Sequence, residues 1–207
     1  MPEIIQVNEE ELKISSTLHP CSLSLRVKNF LDSNEYVKFI KGIERTVRAS
    51  CEFKQWREYI IEVLQVDSCS ISKETREDCS IEIHHHVPSL FVLIKTIINK
   101  HVLDGVPFCS FDICTECIEL HFKNKIGFVP LISSLHEKFH NKKLEIPSEL
   151  IMGDYKWLLQ NYTFDPDDLL EIQARLKVEK AIGCNWQAGK YPGLVDNQGS
   201  FNLLEDR

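Results

Sequence analysis

Histidines that could bind a metal ion lie in two short stretches of this 207-residue chain. Three are consecutive in IEIHHHVPSL, residues 81–90, where apolar and polar residues alternate as in a strand before Pro88. Two more, His136 and His140, lie four residues apart in LHEKFHNKK. On a helix this spacing puts both imidazoles on one face, where one ion can bind them. We therefore expect a strand and a helix that close around a metal ion, the alternative being a pair of solvated helix histidines.

Hydrophobic spacing predicts the elements that would position these side chains. Ser33 is the expected N-cap of a first helix, whose apolar stripe consists of Tyr36, Ile40, Ile43 and Val47. Strands are expected at 66–72 and 80–86, joined into a hairpin by a polar turn. Further helices are expected at 53–64, 89–103, 111–125, 131–143, 148–161 and 165–182, with a turn bounded by Gly127 and Pro130. The chain should thus be a mostly helical α+β protein.

Composition argues against some classes of protein and sets an expectation for location. The net charge of −7 disfavours nonspecific nucleic-acid binding, since phosphate contacts need Lys and Arg. No run approaches the roughly 18 apolar residues of a membrane span, and the acidic start MPEIIQVNEEELK lacks the basic segment of a signal peptide. We therefore expect a cytoplasmic protein whose eight cysteines are reduced thiols.

Together the two histidine stretches resemble the HNH endonucleases, also called ββα-metal or His-Me finger nucleases. The matching pattern is apolar-Glu-apolar-His-His-x-x-Pro followed by His-x-x-x-His on a helix, the form found in colicin nuclease domains and many phage and bacterial HNH proteins. CSIS, residues 69–72, also resembles the start of the leading hairpin in such domains. The resemblance implies a small β-hairpin plus helix ββα-metal core with a helical insertion at 66–145. It would lie between an N-terminal helical region, 1–65, and a C-terminal helical region, 146–207.

The resemblance also implies a role for each histidine. His84, His136 and His140 would bind the ion, and His85 would be the general base that activates water against a nucleic-acid phosphodiester. Two further side chains are possible supporting residues, His86 and Asn124. The implied cofactor is one divalent metal ion (Mg, Mn, Zn or Ni), and the implied partner is nucleic acid, DNA rather than RNA. The host cytoplasm is the expected location if the enzyme is encoded by a phage.

Two other interpretations of the same residues stay open. HEKFH, residues 136–140, matches the His-Glu-x-x-His signature of zinc metalloproteases, with Glu137 as base. That interpretation needs a third ligand from a downstream carboxylate, which would be Glu145, Glu149 or Glu171. Alternatively, the chain is a non-catalytic protein that binds nucleic acid or protein and keeps the metal site only for structure. A separate CxxC pair, Cys114 and Cys117, could join Cys69 and Cys79 around zinc, although a helical position favours ordinary buried cysteines.

The first helix carries a basic face opposite its apolar stripe, formed by Lys38, Lys41, Arg45 and Arg48. Residues 26–57 hold eight basic side chains against four acidic ones, a net charge of +4. Such a surface can contact phosphates without reading bases, although the solvated face of an amphipathic helix has the same pattern. Nucleic-acid contact is therefore expected on this face if it occurs.

Overall fold

In the computed structural model of the protein, residues 32–177 are described. Their elements in chain order are α1 (Ser33–Ala49), α2 (Cys51–Glu58), β1 (Ile81–Val87), α3 (Leu90–Asp104), α4 (Ser110–Phe122), β2 (Gly127–Ile132), α5 (Ser133–His140), α6 (Tyr155–Asn161) and α7 (Pro166–Leu176). A π-helical turn, Tyr59–Val63, continues α2, and a 3₁₀ turn spans Ser148–Leu150. The mostly helical α+β class predicted from the sequence is confirmed. Among these residues, no helix has the length and apolar character needed to cross a membrane.

Side-chain caps fix where the first helices begin and end. The carboxylate of Asp32 accepts hydrogen bonds from the backbone N–H groups of Asn34, at 2.9 Å, and Glu35, at 3.3 Å. The N-cap is therefore Asp32 and not the predicted Ser33, because the carboxylate reaches two free amides at once. Ser50 both ends α1 and caps α2, since its hydroxyl accepts from the N–H of Phe53 at 3.1 Å.

The two strands form an antiparallel sheet in which β1 pairs with β2, across the two intervening helices α3 and α4. His84 lies opposite Val129 and His85 opposite Phe128, and the register shifts between His85 and Val87. At the shifted end the strands approach closely. A side chain at Gly127 would place its Cβ 2.6 Å from the carbonyl oxygen of Val87, so only glycine fits there.

The predicted hairpin between residues 66–72 and 80–86 is wrong. Residues 66–72 form a turn-rich segment with an isolated bridge between Ser68 and Thr75, and the N–H of Ser70 donates to the carbonyl of Pro130 at 2.9 Å. Residues 127–132, expected as a turn and the start of a helix, are the true partner of β1. Short apolar runs do not reveal which other segment they pair with, because the pairing depends on the distant sequence.

Two clusters of buried side chains support these elements. The larger one joins α1, α2, α3, α4 and α6 to one side of the sheet, and its fully buried members include Ile40, Trp56, Ile97, Ile113 and Phe128. The smaller one contains Leu135 of α5 together with residues of both strands and of the flanking loops: Cys69, Ile71, Ile81, Val129, Leu131, Leu144, Ile146 and Leu150. This smaller cluster fixes α5 against the sheet, which is the arrangement that positions the histidines.

Several predicted helices end earlier or begin later than expected. The helix expected at 131–143 is α5, Ser133–His140, and the one expected at 148–161 is a 3₁₀ turn followed by α6. The helix expected at 165–182 is α7 up to Leu176, and its last residues lie outside the described part of the chain. The proposed division into regions 1–65, 66–145 and 146–207 stays a prediction.

Candidate metal centre

His84, His136 and His140 come together where α5 packs beside β1. One possible ligand nitrogen from each lies within 4.8 Å of the other two, and the Nε2 atoms of His136 and His140 are 3.0 Å apart. Nitrogens bound to one tetrahedral zinc ion at about 2.1 Å lie roughly 3.4 Å from one another. An ion would therefore need ring movements on the order of 1 Å. The structure thus brings together the three histidines that the sequence predicted as ligands.

His84 is the buried member of this three-histidine group. It is 5% exposed, and its Nε2 atom has no hydrogen-bond partner among the described residues. Burial, which is the largest cause, acts with the charges of the neighbouring histidines and Arg175 to lower the pKa of His84 to about 2, so the ring is neutral and its lone pair is available at neutral pH. Leaving a buried polar atom unpaired costs about 1–3 kcal/mol, and a bound metal ion would satisfy this nitrogen.

Glu82 holds His136 in the orientation that a metal ligand requires. It lies two residues before His84, on the same side of β1, and its carboxylate accepts hydrogen bonds from Ser133 Oγ at 2.5 Å and from His136 Nδ1. These contacts, that of Ser133 first, lower the pKa of Glu82. Because the Nδ1 of His136 carries the proton in this bond, its Nε2 presents a lone pair to the other histidines. A carboxylate behind a histidine is the usual arrangement at zinc sites.

His85 lies on the opposite side of β1 and faces the helices. Its Nε2 is 2.8 Å from the Nε2 of His121, whose Nδ1 donates to the carbonyl oxygen of Cys117 at 2.6 Å. His121 must therefore accept and His85 must donate. The His85 ring packs against Phe53 and Trp56, with centroids 5.8 and 5.9 Å apart, and burial lowers its pKa well below the ordinary value. With its Nε2 bonded and its ring enclosed, His85 cannot take a proton from a water molecule at the three-histidine group.

The two possible supporting residues occupy different places. His86 lies on the same side of β1 as His84, with ring centroids 5.8 Å apart, and is 1% exposed. Asn124 lies in the connection between α4 and β2, with a left-handed φ of 53°. Its backbone carbonyl oxygen accepts from the N–H of Asp154 at 2.8 Å, so it anchors the start of α6.

The residues of the metalloprotease interpretation are not assembled as that mechanism needs. Glu137 is exposed on α5. The third member of the group is the upstream His84, and the group includes none of the downstream carboxylates that could complete a protease site, Glu145, Glu149 and Glu171. The four cysteines of the alternative zinc site are also apart, since Cys114 and Cys117 belong to the larger core cluster and Cys69 and Cys79 to the smaller one.

The four basic residues of α1 all lie on its exposed face. Two of them pair with acidic residues of the same helix: Lys38 Nζ with Glu35 at 2.7 Å, and Arg48 with Glu44 at 2.9 Å. Arg45 Nε donates to the carbonyl of Lys41 at 3.2 Å. The charge that this face offers to phosphates is therefore smaller than the sequence suggests.

Comparison with known proteins identifies the family. The sequence model of a family described as bacteriophage G278-like virion protein matches residues 2–185. The chain belongs to this virion protein family. Comparisons with curated proteins and with solved structures gave no match.

Membership in this virion protein family corrects three predictions. The resemblance to HNH endonucleases does not reflect kinship, because the matching family is one of virion proteins and not of nucleases. The predicted nuclease function is wrong for the same reason, and the enclosed position of His85 agrees with that correction. The expected cytoplasmic location is also wrong, since a virion protein family indicates a place within the phage particle.

Sequence reasoning missed the roles of Glu82, Ser133 and His121. Glu82 could have been found, because residues two apart on a strand lie on the same side, and Glu82 precedes His84 by two. Ser133 and His121 gave no local signal, since their contacts with Glu82 and His85 arise only when distant segments pack together.

Proposed function

We propose that this chain is a non-catalytic structural component of the phage particle, in which one divalent metal ion bound by His84, His136 and His140 fastens α5 to β1. The observation that carries the proposal is the convergence of three imidazoles around the buried Nε2 of His84, which has no partner within residues 32–177. Membership in a virion protein family supports the part of the proposal that places the chain in the phage particle.

The donor set favours zinc over the other divalent ions. Imidazole nitrogens suit zinc and nickel, whereas magnesium and manganese prefer carboxylate, carbonyl and water oxygens. Glu82, the carboxylate beside the three-histidine group, is hydrogen-bonded to Ser133 and His136. Three nitrogens supported by a carboxylate behind one of them therefore fit zinc best.

A structural role follows from what the ion would connect. α5 is short, with eight residues, and isolated helices of fewer than about 12 residues are marginal in water. Its two histidines would be bound to a strand that α3, α4 and β2 separate from it in sequence. Because the complete ligand set exists only in the folded state, the free energy of metal binding would stabilise that state.

The metal content of the purified protein tests the site. Elemental analysis should find one zinc ion per chain in the wild type and in Glu137→Gln, a control on the same helix with an exposed side chain. His140→Ala should lose the metal. Equal zinc content in His140→Ala and wild type would remove the basis of the proposal.

Two further measurements test whether the protein is part of the phage particle and whether it lacks catalytic activity. Mass spectrometry of purified particles of the encoding phage should detect the protein, and its absence from particles would contradict a structural role. The zinc-loaded protein should leave DNA, RNA and casein intact. Cleavage that disappears in His140→Ala would show that the site is catalytic.

A further inference from the structure

We propose that His86 is a fourth ligand, which closes the metal site around an ion bound by His84, His136 and His140. The inference rests on the proposed metal site and adds that no coordination position remains for water or for an external ligand. It predicts a closed four-nitrogen zinc centre, in contrast to the open site of a hydrolytic enzyme.

Among residues 32–177, the buried ring of His86 has no hydrogen-bond partner. It is 1% exposed, and neither Nδ1 nor Nε2 is bonded to any atom of residues 32–177. A neutral imidazole has one N–H donor and one acceptor nitrogen, so both functions are left unsatisfied. Such groups are rare in folded proteins and call for a specific explanation. A metal ion beside the ring would supply one.

The local backbone places this ring beside that of His84. His86 lies at the register shift between His85 and Val87, and irregularities of this kind re-aim a side chain of the strand. From α7, Arg175 Nη1 donates to the carbonyl oxygen of His86 at 2.8 Å. The backbone of His86 is therefore held in place while its ring stays unbonded beside His84.

Of the three proposed ligands, His84 is the one whose ring contacts that of His86. From His84, the ring centroids of His136, His140 and His86 are 4.8, 5.4 and 5.8 Å away. Two imidazoles on one tetrahedral zinc ion have centroids roughly 5 Å apart. Relative to His84, the His86 ring would thus need to move by less than about 1 Å. The group of nitrogens within 4.8 Å of one another does not include His86, so the ring must also turn toward His136 and His140 when the ion binds. The ring of Phe139 packs against His84 and His86, at 4.4 and 5.2 Å, and forms an apolar wall beside the site.

X-ray absorption of the zinc-loaded wild-type protein counts the ligands directly. Four imidazole rings are expected from the scattering of their outer ring atoms, and three rings would overturn the inference. A cobalt-substituted sample gives an independent answer, because an open site binds azide. The visible spectrum of the wild type should not change when azide is added, and a change would equally overturn the inference.

A variant assigns the fourth ligand to His86. In His86→Leu, zinc affinity should fall by at least the roughly 10–100-fold that is typical when a residue supporting a ligand is removed, and the cobalt spectrum should respond to azide. His101→Leu replaces a histidine that pairs with Glu116 on the neighbouring helix, and it should change neither property. Wild-type affinity in His86→Leu would contradict the assignment.

Comparing the melting temperatures of His86→Leu and the wild type, with and without zinc, separates loss of a ligand from a general loss of packing. In the absence of metal, His86→Leu should melt at or above the wild-type temperature, because it removes two unpaired nitrogens from the interior. With zinc the order should reverse, and no reversal would count against the inference. If His140→Ala binds zinc like the wild type, the proposed function itself fails. If only His86→Leu retains wild-type binding, only the fourth ligand is wrong.

Discussion

Replacing Glu82 should weaken metal binding although Glu82 is not one of the three proposed ligands. Its carboxylate joins Ser133 Oγ, at 2.5 Å, to the Nδ1 of His136, so it orients the ring and favours the tautomer that leaves Nε2 free. Glu82→Gln keeps an oxygen that can accept from His136 and removes only the charge. Glu82→Ala removes both the charge and the orienting contact.

The size of the charge effect follows from the geometry. The path from the carboxylate through the His136 ring to an ion is about 6 Å. The Glu82 side chain is 37% exposed, so a water-like dielectric applies. A charge of −1 at this distance from an ion of charge +2 contributes roughly 1.4 kcal/mol, which corresponds to about tenfold in affinity. Loss of the orienting bond as well should bring Glu82→Ala toward the upper end of the 10–100-fold range that is typical of such partners.

Competition with a chromophoric zinc chelator measures these affinities. We expect Glu82→Gln to bind about tenfold and Glu82→Ala up to about 100-fold more weakly than the wild type. Glu137→Gln is the matched control, since it removes the same charge from an exposed position next to His136, and its effect should be much smaller. If both Glu82 variants bind zinc within a factor of about two of the wild type while His140→Ala loses it, Glu82 does not support His136 and the reasoning is refuted.

Three further predictions concern stability and nucleic-acid binding. Burial lowers the pKa of His121 from 6.5 to about 4, so the unfolded state binds the extra proton as pH falls through this window. In EDTA, the free energy of unfolding should drop by about 3 kcal/mol from pH 6.5 to 4 through His121 alone. His121→Gln, which can still accept from His85, should flatten that slope in denaturant titrations, and an unchanged slope would count against this cause. Gly153→Ala should reduce the free energy of unfolding by about 1–3 kcal/mol through backbone strain. Gly153 has a φ of 91°, and a Cβ there would overlap the carbonyl oxygen of Ile126. The control Gly42→Ala, within α1, should be stabilising. Finally, if α1 binds phosphates, the double variant Lys41→Glu, Arg45→Glu should weaken DNA binding. The slope of log affinity against log salt concentration should fall by about one unit for each phosphate that the helix no longer binds. A wild-type slope would show that this face of α1 is only solvated.

Local sequence determined those features that depend on neighbouring residues. The spacing of Ile40, Ile43 and Val47 predicted the buried stripe of α1, since a helix brings residues three and four apart onto one face. The same geometry predicted that His136 and His140 would share a face of α5. Alternation in IEIHHHV predicted β1, and with it the separation of His84 from His85.

Only the tertiary structure decided what these elements meet. β1 pairs with a strand that lies beyond two helices, and short-range patterns carry no record of such a partner. Whether His85 could act as a general base depended on its contacts with Phe53, Trp56 and His121, which come from α2 and α4. The HNH resemblance misled because histidines on a strand and a helix can have the geometry of a metal site both in an enzyme and in a protein that catalyses no reaction. Spacing indicates which histidines can come together, whereas their chemistry depends on what surrounds them, and that environment is assembled from segments far apart in the chain.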